Sequence, residues 1–410
     1  MKILWLSHLV PYPPKAGVLL RSHYLVKELS KYHEVHLLAF NQKTLMEPYF
    51  NSYEEGSEIA KSKMEEYCAR VEFFDCPIDR TPHAKKICAL KSLLSSTSYN
   101  INWLKDKTFG TTVNQWHQEE SYDVIHCDTI SLAPYISNIK DARLSLDHHN
   151  VESHMLLRRS QLEQNLLKKF YFWQEGKKVA SLEKQTCHQF DTNLTCSELD
   201  TKRFYENCPD ASFTEVPNGV DIDLFTPAEC EQDPATFIFI GTLDWYPNTR
   251  AVRYIANEIW PKLKQKFPNA KVHIIGSGAP NDLVQFSQKE EGFEVLGYVD
   301  DLKPYLDSAT IYLCPIDDGG GTKLKLLDAF SAGKAVIAHK VACEGLKVTD
   351  GHQALLANDP DSYIEKITTL LNDTDLRKQL QHNARKHAEE LFSFASIGKQ
   401  LADHFSKIAN

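Results

Sequence analysis

Short apolar runs alternate along the chain with longer stretches whose apolar residues recur every three or four positions. The first pattern is that of a strand buried on both faces, the second that of a helix with one buried stripe. Together they predict parallel α/β sheets. In the first half the strand candidates are "ILWLS" (3–7), "EVHLLAF" (34–40), "VEFFD" (71–75), "DVIHC" (123–127), "RLSLD" (143–147) and "TNLTCS" (192–197). One long helix is predicted from about Glu152 to Lys184. The pattern restarts with "TFIFIG" (236–241), "KVHIIG" (271–276), "FEVLG" (293–297), "TIYLCP" (310–315) and "AVIAH" (335–339). Val252, Ile255, Ile259 and Leu263 repeat at helical spacing and predict one buried stripe.

The joint between the halves, "CPDASFTEVPNGVDIDLFTPAECEQDP" (208–234), is rich in proline, aspartate and glycine, with one short strand, "FTEV". The expectation is two Rossmann-like domains facing each other across a cleft: residues 1–207, a linker over 208–218, and residues 219–390. Ligands of such sheets bind outside the carboxyl ends of the strands.

Composition narrows the class. With 410 residues the chain exceeds one core, and 42% hydrophobic with 25% charged residues is ordinary for a globular protein. A net charge of −9 argues against a general nucleic-acid binder. The ten cysteines are dispersed without a CxxC pair, so they read as reduced, buried apolar residues in a cytoplasmic setting. The N-terminal "KILWLS" breaks at a proline cluster without a small-residue cleavage site, and reads as a first strand rather than a leader. No stretch approaches the roughly 20 apolar residues of a membrane span. The expectation is a soluble or peripheral protein.

The most informative stretch is "CPIDDGGGTKLKLLDAFSAGKAVIA" (314–338). Gly319, Gly320 and Gly321 precede a helix N-terminus, where unpaired amides attract phosphate and glycines let it approach closely. Thr322 is an N-cap candidate. Lys325 and Asp328, three apart, share a helix face, while Leu324, Leu327 and Phe330 supply the buried stripe. One face then offers a cation for phosphate and a carboxylate for hydroxyls, which suits a nucleotide diphosphate with its ribose.

This stretch, followed by "CEGLKVTDGHQALLANDPDSY", resembles the donor site of retaining glycosyltransferase family 4, with the GT-B fold, in the branch with a GGGT(R/K)xKxLEA consensus. "GTLDWYPN" (241–248), "IIGSG" (274–278), "LGYVDDLKPYLDSA" (296–309), "VPNGVD" (216–221) and "DHHNVES" (147–153) follow in that family's order. The resemblance implies that Asp328 holds the ribose in place of the second glutamate of an E-x7-E motif. Gly320 stands where the first glutamate is usual, removing a side chain near the donor sugar. The usual arginine and lysine after the first strand of the second domain are missing, with Thr242 and Asn248 near their places. Lys323 or Lys325 must then face the leaving phosphate, and Lys325 is favoured as a compact point charge. Gly241 belongs to the same loop, and Tyr298 lies beside the backbone that reads the nucleobase. Gly17 implies close approach to donor and acceptor. Arg21 is placed to reach an anion.

By the same resemblance His149 contacts the transferred sugar, with His148 and Asn150 as acceptor-side candidates and His126 and Asp128 as weaker ones. No metal or other cofactor is expected: the histidines show no HxxxH or HxH spacing, and GT-B enzymes typically need none. The terminal helix over 391–410 is expected to cross back to the first domain. The implied activity is transfer of a sugar from a nucleotide diphosphate sugar to a hydroxyl of a glycan or lipid-linked acceptor, in cell-surface polysaccharide or lipopolysaccharide synthesis. A sugar-nucleotide 2-epimerase and a non-catalytic nucleotide- or glycan-binding subunit remain alternatives.

Charge bears on the acceptor side. Lys85, Lys86, Lys91, Lys105 and Lys107 face one acid, Asp106, between Thr81 and Gly110, with leucines interleaved. Between Leu156 and Lys178 there are six bases and two acids around "FYFW" (170–173). Such segments in an acidic chain favour an anionic membrane surface, so peripheral binding at the inner face of the cytoplasmic membrane is expected.

Overall fold

The computed structural model describes residues 1–15, 17–228, 234–318 and 322–410, so Gly319, Gly320 and Gly321 lie outside the described residues. The chain divides into two compact units, Met1–Pro217 with Ile397–Asn410, and Asn218–Ser396.

The first unit holds seven parallel strands: β1 (Lys2–Ser7), β2 (Glu34–Asn41), β3 (Arg70–Asp75), β4 (Val124–Cys127), β5 (Arg143–His148), β6 (Thr192–Thr195) and β7 (Phe213–Glu215), in the order β3-β2-β1-β4-β5-β6-β7. Ile3 pairs with Val124 and Leu6 with Cys127, so β1 and β4 are neighbours at the centre. Alternation along β1 sends Ile3 and Trp5 to one core and Leu4 and Leu6 to another. That is why the strand reads as a continuous apolar run. The helices that matter below are α1 (Gly17–Leu29), α2 (Ala84–Leu94), α3 (Glu152–Leu162), α4 (Leu166–Cys187) and α5 (Glu198–Asn207).

The second unit holds β8 (Thr236–Ile240), β9 (Lys271–Ile275), β10 (Phe293–Gly297), β11 (Ile311–Cys314), β12 (Ala335–Ala338) and β13 (Leu355–Leu356), in the order β10-β9-β8-β11-β12-β13, again all parallel. Its relevant helices are α6 (Tyr246–Tyr254) and α7 (Leu324–Ser331). The predicted stripe of Val252, Ile255, Ile259 and Leu263 is fully buried. The last helix, α8 (Phe394–Ala409), starts in the second unit, and its Ile397, Leu401 and Phe405 lie in the core of the first.

Three features differ from the sequence reading. Residues 208–217 belong to the first unit rather than to a linker, because Phe213–Glu215 pair with β6 as an added edge strand. The long helix over 152–184 is two helices. The Asn165 side chain accepts from the amides of Leu167 and Lys168 at 3.1 Å and starts α4, and this cap ends the continuity. The chain folds back there, and a Cβ at Gly176 would press on Leu157 at 2.8 Å, so glycine lets α4 approach α3. Finally, β13 was not foreseen, since two residues carry no periodicity.

Candidate functional site

In the second unit the strand order reverses between β8 and β11, the position at which sheets of this kind bind ligands beyond their carboxyl ends. The loops leaving β8, β9 and β10 are tied together there. Gly241 N donates to Ile275 O at 2.8 Å, Leu243 N to Ser277 O at 2.7 Å, and Gly276 N to Gly297 O at 2.8 Å. Gly276 sits at φ +152°, where an added Cβ would strike the Gly241 carbonyl oxygen. A Cβ at Gly241 would strike the Lys325 amine, so this glycine makes room for the lysine.

Lys325 lies in the first turn of α7. Its Nζ donates to Asn248 Oδ1 at 2.6 Å, and Asn248 Nδ2 donates to Thr242 O at 2.7 Å. The amine also sits 4.7 Å from the centre of the Phe239 ring, a cation–π contact. Burial pulls its pKa down to about 8, with Lys323 adding to the fall and Asp328 opposing it. One turn further, burial pushes the Asp328 carboxyl up to about 7, against the attraction of Lys325. Among the described residues the Asp328 carboxylate has no hydrogen-bond partner and forms no ion pair. Burial therefore moves both groups toward neutrality, Lys325 with a neutral amide and a ring as its partners and Asp328 with none among the described residues.

Thr322 is not the N-cap. Lys323 occupies that position without a side-chain cap bond, and Thr322 Oγ1 is buried without a partner. The helix begins one residue later than expected because the Leu326 amide already bonds Lys323 O at 2.9 Å. Tyr298, after β10, is 68% exposed, which argues against a packing role.

In the first unit the order reverses between β1 and β4. Asp128, just past β4, is the hub. Its carboxylate accepts from Ser7 Oγ at 2.6 Å, Ser22 Oγ at 3.1 Å and the His8 amide at 2.9 Å, and pairs with His8 Nδ1 at 2.8 Å. Burial opposes charge on both groups, but their attraction outweighs it: His8 is raised, and Asp128 is held down at about 2. His149 lies 5.6 Å from the His8 ring, its Nε2 buried without a partner. Burial lowers its pKa to about 4, with the His8 charge adding to the effect, so His149 is neutral at pH 7. His8 escaped the sequence reading. Its signal was a polar residue directly after the central strand.

Two sequence candidates are corrected. Arg21 is buried and committed: Nε donates to Asp147 Oδ2 at 2.7 Å, Nη2 to Asp147 Oδ1 at 3.1 Å, and Nη1 to Pro217 O at 3.0 Å. It holds α1 on the sheet and is not offered to an external anion. His148 points to the opposite face of β5 from Asp147, since strand side chains alternate. It is packed 4.3 Å from the Phe204 ring of α5 and bonded to Asn193 Oδ1 at 3.2 Å. His126 is likewise buried, 4.0 Å from the Trp5 ring. Asn150 is half-buried between β5 and α3, and Gly17 opens α1.

His8, Asp128 and His149 are close enough together to hold a metal ion. Both Asp128 oxygens and His8 Nδ1 are already committed to hydrogen bonds, so the donor set fits an internal network better than a cation. The described cysteines form no disulfide with one another, and all but Cys88 are buried; Cys230 lies outside the described residues. No described helix is long and apolar enough to cross a membrane.

Residues 234–373 match the sequence model of the family described as glycosyl transferases group 1. A phosphatidyl-myo-inositol mannosyltransferase of Mycolicibacterium smegmatis is 30% identical over 172 residues, 40% of this chain and 44% of that protein. The match thus spans less than half of that relative's length. An uncharacterized 44.6 kDa protein from the cps region of Klebsiella pneumoniae is 23% identical over 68% of this chain and 74% of its own. Among solved structures, sucrose-phosphate synthase from Thermosynechococcus elongatus aligns with TM-score 0.68 and 15% identity over 100% of this chain and 99% of that one. Anabaena HepE in complex with UDP aligns with TM-score 0.64 and 16% identity over 99% and 100%. At these identities the likeness establishes the fold: two parallel-sheet Rossmann-like domains of the GT-B class.

Proposed function

We propose that this chain is a retaining glycosyltransferase of family 4, moving a sugar from a nucleotide diphosphate sugar to a hydroxyl of a glycan or lipid-linked acceptor. The pathway it fits is cell-surface polysaccharide or lipopolysaccharide synthesis. The observation that carries this reading is the pair on α7: a desolvated lysine and an unpartnered carboxylate, one turn apart at the switch point of the second sheet, within the stretch that matches the group 1 family. The names of the similar proteins support it, since one is a mannosyltransferase and HepE was solved with UDP and with UDP-glucose.

In this mechanism Lys325, held on Asn248, faces the diphosphate and stabilises the charge that grows as the glycosidic bond breaks. By the resemblance, Gly319, Gly320 and Gly321, which lie outside the described residues, and Lys323 serve the same phosphates. Asp328 accepts hydrogen bonds from the ribose hydroxyls, and the exposed Tyr298 loop meets the base. His149, neutral and with one free nitrogen, exchanges a hydrogen bond with a sugar hydroxyl. The cationic role is filled by the lysine, so the proposal includes no metal. Gly320 leaves the sugar-facing position without a carboxylate.

Calorimetric titration with UDP- and GDP-sugars, followed by product analysis, tests this reading. One nucleotide sugar should bind, and Lys325→Ala and Asp328→Ala should each weaken it. Unchanged affinity in both variants would remove α7 from the site. An epimer formed from donor alone would assign a 2-epimerase, and tight binding without turnover on any acceptor would assign a binding subunit.

A further inference from the structure

We infer that the first unit carries a docking surface for an anionic lipid bilayer, built from α2 and the α3–α4 hairpin. On α2, Ile87, Leu90 and Leu94 recur at helical spacing and are 47%, 60% and 82% exposed. On α4, Leu166, Leu167, Phe170 and Trp173 are 79%, 83%, 55% and 48% exposed. The two helices are neighbours: Gln174 Nε2 donates to Leu93 O at 3.1 Å and Lys178 Nζ to Ser92 O at 2.5 Å. The apolar stripes therefore belong to one region of the surface. Large side chains left in water in such numbers mark an interaction site.

Charge identifies the occupant. Residues 84–94 contain Lys85, Lys86 and Lys91 and no acid, and residues 166–174 contain Lys168 and Lys169 and no acid, within a chain of net charge −9. All five lysines are exposed, and among the described residues only Lys85 has an acidic neighbour, Asp79 at 3.6 Å. Leucines and aromatic rings flanked by exposed lysines complement a bilayer interface, where the side chains enter the acyl boundary and the amines meet anionic headgroups. The most exposed leucines stand at helix ends, Leu94 closing α2 and Leu166 and Leu167 opening α4, so they project as wedges. A protein-binding groove would instead bury them along a seam.

Flotation of the full chain with vesicles tests the inference independently of the nucleotide site. Binding should appear with vesicles containing about 30% phosphatidylglycerol and be near background on pure phosphatidylcholine. It should fall roughly tenfold between ~50 mM and ~500 mM salt. Leu166→Glu with Leu167→Glu should lower partitioning at least ~10-fold, and Lys168→Glu with Lys169→Glu by a similar factor. Unchanged nucleotide affinity in both variants would show that they fold. No binding to anionic vesicles, equal binding to neutral ones, or indifference to the leucine variant would overturn the inference. So would light scattering showing that the leucines hold two copies of the chain together without any vesicle binding.

Discussion

Each unit buries ionisable groups at the point where its strand order reverses, and the two do so in opposite ways. At the reversal point of the first unit the buried charges have counter-charges: Arg21 is bidentate on Asp147, and Asp128 collects His8, Ser7 and Ser22. Asp128 and Asp147 are held below the ordinary carboxylate range and Arg21 is raised, so these charges are locked in. In the second, Lys325 has only a neutral amide and a ring, and Asp328 has no hydrogen-bond partner among the described residues; both pKa values move toward neutrality. Burial with partners builds a scaffold, whereas burial without them leaves groups whose partners arrive with the ligand.

The largest expected effect is in the scaffold. Arg21→Met leaves Asp147 buried without its cation and should cost ~3–5 kcal/mol of unfolding free energy in urea melts. A cost within experimental error would erase the contrast between the units. Next, His149→Ala should lower turnover ~10²–10⁴-fold while leaving nucleotide affinity unchanged in titration. An equal loss in affinity would instead move this histidine into nucleotide binding.

Asp328→Asn should weaken nucleotide binding by ~1.5–3 kcal/mol, the range for hydrogen bonds to charged groups. The same variant should be more stable without ligand, by ~1–3 kcal/mol at pH 8 after allowance for its partial exposure. The sign follows from the raised pKa. Between the ordinary value of 3.8 and about 7 the folded state holds the extra proton, so stability falls as pH rises, and asparagine lacks this loss. A destabilised Asn variant would make Asp328 part of the scaffold.

The smallest effect is the sharpest probe. Binding requires Lys325 protonated and Asp328 ionised. Affinity should therefore fall above about 8, where the lysine loses its proton, and below about 7, where the aspartate gains one. Asp328→Asn should flatten the acid limb, leaving only the titration of the nucleotide phosphate. A limb that persists undiminished would assign it elsewhere.

Sequence periodicity was sufficient for the strands that build both sheets, because a strand buried on two faces announces itself locally as an apolar run. It also placed Lys325 and Asp328 on one helix face, since i and i+3 are neighbours in any α-helix. It did not distinguish Arg21 from a ligand-binding arginine, and it left His148 among the acceptor-side candidates. Arg21 meets Asp147 across 126 positions, and Lys325 meets Asn248 across 77. The role of a charged side chain depends on what faces it, and that is set by strand order and helix packing. Composition and local spacing determined the strands of both sheets and the placement of Lys325 and Asp328 on one helix face. Which of its charges are spent inside the fold, and which remain available, was decided only by tertiary structure, because desolvation and pairing depend on neighbours far away in the chain.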